Sequence, residues 1–285
     1  MVESYPIQLI PSLGYIFLTI GIFTIKYLKS LNSFLLYGKT ATKTTLETYS
    51  SSSSSTVRYI SNHLTVPKAW FTHFYINAFG LSTALYLLQF TGKQQDITTG
   101  DQIAYKNMLI IQRLLWIQTG RRLLECLFLS KFSKTARMNI AHYFIGYAHY
   151  ILVSLACYIG LTTYYTSDTQ KVPLTLADYC LIIWFIVASI QQFLNHYHLS
   201  TLIKYTVPKF KLVSSPHYFN EIQIYIIFFI LSVKNGWSLT SLNYLCCLIY
   251  VMVSLSISSL ETYKYYQLKF KEEFKLKWSI FPGVL

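Results

Sequence analysis

"QTGRRLLECLFL", Gln118 to Leu129, sets two arginines and a glutamate inside a run that otherwise reads as buried helix. A charge at the centre of a membrane helix costs about 2.5–3.5 kcal/mol on insertion scales, so these residues need a reason to be there. Gln118, Arg121, Arg122 and Glu125 stand at i, i+3, i+4 and i+7, which an α-helix gathers on one stripe. Such a stripe cannot face lipid. It faces a bundle interior or a polar cavity, with its charges paired. Arg121 and Glu125, one turn apart, satisfy each other in part. Two readings follow: an ion pair near a helix end, where long side chains snorkel, or an anion or cofactor site, because a guanidinium fork grips two phosphate oxygens at once. Arg122 is assigned a structural role.

The rest of the chain supports a membrane setting. Of its 285 residues 53% are hydrophobic and only 12% charged, and the mean hydropathy is +0.38. A soluble domain is about one-quarter charged. Seven segments reach transmembrane length: 8–28, 70–91, 104–129, 138–162, 174–195, 217–234 and 239–260. The expected fold is an all-α integral membrane protein of about seven helices.

The net charge of +13 would point to nucleic acid in a soluble protein. Here it is read loop by loop, and no nucleic-acid partner is assigned. Lysines and arginines gather in the 29–69 loop, after the third and fifth segments, and in the tail from Lys264 to Lys277. The alternate loops are poor in base or balanced. The positive-inside rule then predicts a lumenal N-terminus and a cytosolic C-terminus. The run "SSSSSTVRY" (Ser51–Tyr59) reads as a solvated linker. Residues 1–60 are thus a first helix and a polar cytosolic loop, and 61–285 the membrane domain proper. The five cysteines lie in apolar runs without metal or redox spacing and read as small hydrophobes.

Two more polar clusters sit at segment ends on the predicted cytosolic side. "QQFLNHYHL" closes the fifth segment and places Gln192 and His196 one turn apart. No carboxylate joins it, so no metal site is assigned. "SSPHYFNEIQIY" (Ser214–Tyr225) opens the sixth. Pro216 suits a helix start, and His217, Asn220 and Glu221 then share a face. Three clusters at the cytosolic ends of three segments predict one site.

Four stretches resemble the steroid 5α-reductase superfamily, and within it the eukaryotic polyprenol reductase branch. They are "VPKAWFTHFY" (Val66–Tyr75), "QTGRRLLE" followed by "FSKTARMNIAHYFIGYAHY" (Phe132–Tyr150), "VSSPHYFNEIQIY" (Val213–Tyr225), and the Tyr-rich basic tail from Tyr263. The resemblance covers roughly residues 60 to 285. It implies a reductase that uses NADPH on a carbon–carbon double bond in the endoplasmic reticulum membrane. It places Arg121 and Glu125 on the cofactor and substrate cavity, with Glu125 grouped among the catalytic residues. Gln192 and His196 match a pair that contacts the nucleotide. His217 and Glu221 match residues at the nicotinamide end, with Asn220 beside them on the cofactor. Tyr205 matches a tyrosine in the loop over the cofactor, and Tyr266 a tail tyrosine near it.

The chain departs from the steroid branch where that branch binds a ketone. After "AWF" it continues Thr72-His73-Phe74, without the carboxylate that grips the steroid carbonyl, and Gln118 stands where that branch has a tyrosine. The loop "VPKFKLVSSP" lacks the family's Pro-x-Gly turn. The branch implies a long-chain isoprenoid lipid as substrate and dolichol, for protein glycosylation, as the eventual product.

An isolated alkene does not accept hydride; the acceptor is conjugated to a carbonyl so that charge lands on oxygen. The direct substrate is therefore expected to be the aldehyde, polyprenal, with a partner dehydrogenase interconverting alcohol and aldehyde. His73 and Gln118 are the candidate hydrogen-bond donors to the developing oxyanion. Rival readings are a seven-helix receptor, a membrane methyltransferase, and a 3-oxo-steroid or enoyl-thioester reductase of the same superfamily.

Overall fold

The structure, a computed structural model, describes residues 5–35, 59, 63–89, 101–165, 172–202 and 206–284. The serine run and Tyr205 lie outside the described residues. Each of the seven apolar segments is a helix: α1 (Tyr5–Tyr27), α2 (Phe71–Leu88), α3 (Gln102–Leu124), α4 (Ile140–Thr163), α5 (Leu176–Thr201), α6 (Pro216–Val233) and α7 (Leu239–Phe270). By length and composition four of them, α1, α4, α5 and α7, are apolar enough to cross a membrane. The protein is all-α apart from one short two-stranded sheet among the described residues.

Local chemistry sets the helix starts. Asp101 accepts from the backbone N–H of Ile103 and Ala104 at 2.9 and 3.0 Å. Asn139 caps α4 through Ala141 N at 2.8 Å. Thr175 and Asp178 form a reciprocal capping box at α5, and Ser238 caps α7 through Ser241 N. Each satisfies N–H groups that a helix start leaves without partners. Pro216 takes the first position of α6, as its fixed φ favours.

The helices alternate in direction, so the C-terminal ends of α1, α3, α5 and α7 share one end of the bundle with the N-terminal ends of α2, α4 and α6. α5 packs on α6, α6 on α7, α7 on α1, and α2 on α3 and α4. The core between them holds Tyr15, Met108, Ile111, Phe185, Phe228 and Tyr244, all essentially inaccessible to solvent.

Polar ties act at both ends. At one, buried Asp178 accepts Lys106 Nζ at 2.7 Å and Lys234 Nζ at 2.5 Å, joining α3, α5 and α6. At the other, Lys26 of α1 meets Glu261 of α7 at 2.5 Å. Nearer the start of α1, Ser12 Oγ donates to Asn243 Oδ1 at 2.5 Å and Asn243 Nδ2 to Gln8 O at 2.9 Å.

Two connections escape the apolar pattern. Strands β1 (Thr65–Pro67) and β2 (Arg137–Asn139) pair antiparallel, Val66 opposite Met138, and so clamp the starts of α2 and α4 together. The tail folds back: Ser214 N and Ser215 N donate to Trp278 O and Ser279 O, both at 3.0 Å, and Ile280 enters the core. The segment that opens α6 is thereby held in place.

Candidate functional site

At the end of the bundle where α3 and α5 finish and α2, α4 and α6 begin, the three polar clusters meet. α3 does not stop cleanly. It passes into a π-turn, Glu125–Leu129, with Ser130 N donating to Glu125 O at 2.8 Å. Such turns recur at functional sites because they re-aim side chains. Here the turn begins at the carboxylate around which the cluster is built.

Glu125 is 4% exposed. One of its oxygens accepts from Arg121 and the other from Arg122, and His196 Nδ1 lies 2.7 Å from the second. The same His196 nitrogen is 2.7 Å from Arg122 Nη1. One ring nitrogen cannot donate to the carboxylate and accept from the guanidinium at once, so the tautomer chooses between them. Arg121 also donates to Gln118 Oε1 at 2.7 Å and to Gln192 Oε1.

The second carboxylate, Glu221, accepts from two amides: Gln118 Nε2 at 3.1 Å and Gln192 Nε2. Gln118 Nε2 lies 3.3 Å from Gln192 Oε1 as well, so both its protons are committed. Two guanidiniums thus face two carboxylates in one hydrogen-bonded net. This balance is what allows the stripe to stand inside an apolar bundle.

Arg122 has a further role beyond the structural one assigned from sequence. Its Nε and Nη2 donate to the Tyr75 hydroxyl at 3.2 and 2.9 Å, and it lines the adjoining cavity. That cavity has about 230 Å³ open to water-sized molecules. Arg122, Gln192, His196, His217 and Glu221 line it, and His142, Ser254, Ser258 and Glu261 add further polar groups. Tyr75, His149, Tyr150, Tyr225 and Tyr250 also line it, and Phe71, Phe74, Ile145, Ile22 and Ile257 are among its apolar lining. Gly146 sets the wall: a Cβ there would lie 2.7 Å from the ring of Phe74, so only glycine leaves that ring where it is.

The other candidates from sequence lie as follows. Gln192, His196, His217 and Glu221 converge on the cavity. Gln118, Arg121 and Glu125 stand directly behind that wall. Asn220 turns to α5 and donates to Ala188 O at 3.2 Å. His73 meets Tyr143 Oη at 3.1 Å and packs beside Trp70. Tyr266 is buried against Phe270 and Phe274. Neither Asn220, His73 nor Tyr266 lines the cavity, and Tyr205 is outside the described residues. Sequence reasoning passed over Tyr75, His149 and Tyr225. Tyr75 and Tyr225 each end a stretch that carries the family resemblance. His149 lies inside another of those stretches, Phe132–Tyr150, and was passed over because a histidine on an apolar helix reads as an ordinary core residue.

Comparison with known proteins agrees with this picture. Residues 136–285 match the family described as 3-oxo-5-alpha-steroid 4-dehydrogenase. The chain is 35% identical over 273 residues to the polyprenal reductase of Saccharomyces cerevisiae, covering 93% of this chain and 92% of that one. It is 30% identical over 198 residues to polyprenal reductase of Danio rerio, covering 62% and 60%. With that of Drosophila melanogaster the identity is 29% over 260 residues, covering 78% and 77%.

Proposed function

The chain belongs to the 3-oxo-5-alpha-steroid 4-dehydrogenase family, and from that premise we propose that it is a polyprenal reductase. In this reading it saturates the double bond of the α-isoprene unit, turning polyprenal into dolichal. The observation that carries it is the cavity: charged and hydrogen-bonding side chains such as Arg122, His196 and Glu221 share its lining with a larger set of aromatic and apolar ones from α1, α2, α4 and α7. A polar head conjugated to a long hydrocarbon tail is the ligand such a lining suits.

The acceptor's chemistry selects the aldehyde. An allylic alcohol offers nowhere for the charge of an added hydride to go, whereas an enal places it on oxygen. NADPH would supply the hydride. The residues fit its nicotinamide end: Glu221 offers a carboxylate to the N–H₂ side of the carboxamide, and Gln192, whose two amide protons go to Glu221 and His217 O, holds that carboxylate in place. His217 stands next to them, its backbone carbonyl 3.2 Å from Gln192 Nε2. Arg122 and His196 place positive or hydrogen-bonding groups at the same end, and Arg121 with Glu125 holds them in position. Asn220 anchors α6 beneath Glu221, and we assign Tyr205 and Tyr266 to the outer part of the cofactor site.

We place all seven helices across the membrane, N-terminus lumenal and the site at the cytosolic end, where the basic loops lie. That membrane is the endoplasmic reticulum in this reading, and the product feeds dolichol synthesis for glycosylation. A dehydrogenase would supply the aldehyde and remove dolichal.

The test uses purified full-length protein with NADPH and three acceptors in parallel: polyprenal, polyprenol and a 3-oxo-Δ4 steroid. Loss of NADPH and product mass are followed. Reduction of polyprenal alone supports the proposal. Equal reduction of polyprenol without an oxidant sinks the aldehyde argument, and steroid turnover moves the chain to the other branch.

A further inference from the structure

We infer that the protein holds a second binding site, for a primary ammonium such as that of an ethanolamine head group, in a cavity at the end of the bundle opposite the site above. The inference stands apart from the reductase reading.

This second cavity lies where α3 and α7 begin and α4 and α6 end. About 240 Å³ of it is open to water-sized molecules, far more than the ~10–15 Å³ that one buried water needs. It is as roomy as the cavity beside Arg122. Asp101 and Asn107 at the start of α3, Ser232 of α6 and Ser238 before α7 line it, together with Tyr164 and Trp237.

The hydrogen bonds decide what it can recognise. The serine protons here are already spent inside the protein. Ser232 Oγ donates to Phe229 O and Ser241 Oγ to Ser232 O, both at 2.7 Å. Ser238 Oγ lies 3.1 Å from Ser241 Oγ, and because the proton of Ser241 is used, Ser238 is the donor there. Ser232 and Ser238 therefore offer only lone pairs to the cavity. Asn107 is 1% exposed, and its amide oxygen is buried without a hydrogen-bond partner. An acceptor left so carries a desolvation cost that a ligand N–H recovers. Tyr164, Asn107, Asn235 and Trp237 keep donor groups of their own, but none of these is charged.

Charge points the same way. Asp101 caps α3 through Oδ1, which accepts from Ile103 N and Ala104 N; its second oxygen takes no part in the cap. Asp101 is the one charged side chain in the described lining. Lys106 and Lys234, next in the chain to Asn107 and Asn235, are both bound to Asp178. The helix ends agree. The carbonyl ends of α4 and α6 carry partial negative charge, while the positive starts of α3 and α7 are already capped by Asp101 and Ser238. The cavity favours a cation over an anion.

Other features narrow the cation. One carboxylate is too few for a metal ion, and among the described residues no group of three or more His, Cys, Asp or Glu side chains could hold one. A quaternary ammonium has no N–H to give Asn107 or Ser232. Trp237 lines the cavity and is 61% exposed, so an indole stands where the cavity opens. Indoles bind cations over their faces and sit at head-group level in a membrane. A primary ammonium carried by a lipid meets all of these conditions.

The experiment uses full-length protein in phosphatidylcholine nanodiscs. The additions compared are phosphatidylethanolamine, its N-acetyl derivative, phosphatidylglycerol and free ethanolamine. Native mass spectrometry counts retained lipid, and thermal unfolding reads stabilisation. Phosphatidylethanolamine should be retained and should raise the melting temperature, while the N-acetyl lipid and phosphatidylglycerol do neither. Asp101→Asn keeps a good helix cap and removes the charge. It should weaken retention about tenfold or more, with the melting temperature in phosphatidylcholine alone unchanged. Trp237→Ala, at an exposed position, should weaken it several-fold.

Equal retention by Asp101→Asn and wild type would overturn the inference. So would phosphatidylglycerol or the N-acetyl lipid held as firmly as phosphatidylethanolamine, or no response to any addition, which leaves the cavity to water. A rise in melting temperature with free ethanolamine and none with the lipid keeps the ammonium and assigns it to a soluble amine. Should Asp101→Asn not fold, Trp237→Ala carries the test, and unchanged retention there overturns the inference.

Discussion

Glu125→Gln tests the charge balance on which the site stands. Glu125 takes bonds from Arg121 and Arg122 and lies within reach of His196. The side chains of the two arginines are only 19% and 12% exposed, so water can replace little of what the carboxylate provides. Glutamine keeps the shape and one acceptor oxygen. It removes the charge and turns an N–H₂ group toward a guanidinium. The cluster then carries two cations against Glu221 alone. Breaking a buried pair from one side costs about 3–5 kcal/mol; because one acceptor is retained, the lower figure applies. At about 2–4 °C per kcal/mol for a domain of this size, the melting temperature should fall by roughly 6–12 °C.

Thermal unfolding of detergent-purified protein, followed by tryptophan fluorescence, reads this directly. The reasoning makes a second demand: Arg121→Met added to Glu125→Gln restores neutrality and should recover most of the loss. A single variant that melts with wild type, or a double variant no better than the single, would refute the view that charge balance holds the stripe in the bundle.

Other expectations follow from the same structure. Asp178→Asn leaves Lys106 and Lys234 facing each other across α3 and α6; it should lower stability by about 3 kcal/mol yet leave kcat unchanged, since the cluster lies at the opposite end from the cavity. Melting and turnover measured on one preparation separate the two. Gly146→Ala pushes its Cβ to 2.7 Å from Phe74 and drives that ring into the cavity, so KM for polyprenal should rise while the affinity for NADPH, read by fluorescence titration, does not. Asn243→Ala removes the acceptor of Ser12 and the donor to Gln8. It should cost about 1–3 kcal/mol and increase hydrogen exchange in α1 more than in α5.

Much of this molecule is legible in its residues. The seven helices lie where apolar runs of spanning length lie, because in an apolar environment a helix satisfies its backbone bonds within its own segment. The Arg121–Glu125 pair was readable from a spacing of four, and the start of α6 from Pro216. The sheet was not: Val66 and Met138 are far apart in the chain, and three-residue strands leave no alternation to read. Nor was the docking of Trp278 and Ser279 on Ser214 and Ser215, which depends on where the end of α7 stands relative to the start of α6.

The site divides the same way. Chain chemistry alone determined that Gln118, Arg121, Arg122 and Glu125 share a helix face, that they cannot meet lipid, and that polar clusters at Gln192–His196 and His217–Glu221 belong to the same end of the bundle. Those are consequences of helical period and of the cost of charge in hydrocarbon. Which arginine reaches the cavity, where the amide protons of Gln118 go, and that Tyr75 rests on Arg122 were decided only when α2, α3, α4, α5 and α6 packed. A hydrogen bond between helices depends on their rotation and separation, and no single segment contains that information.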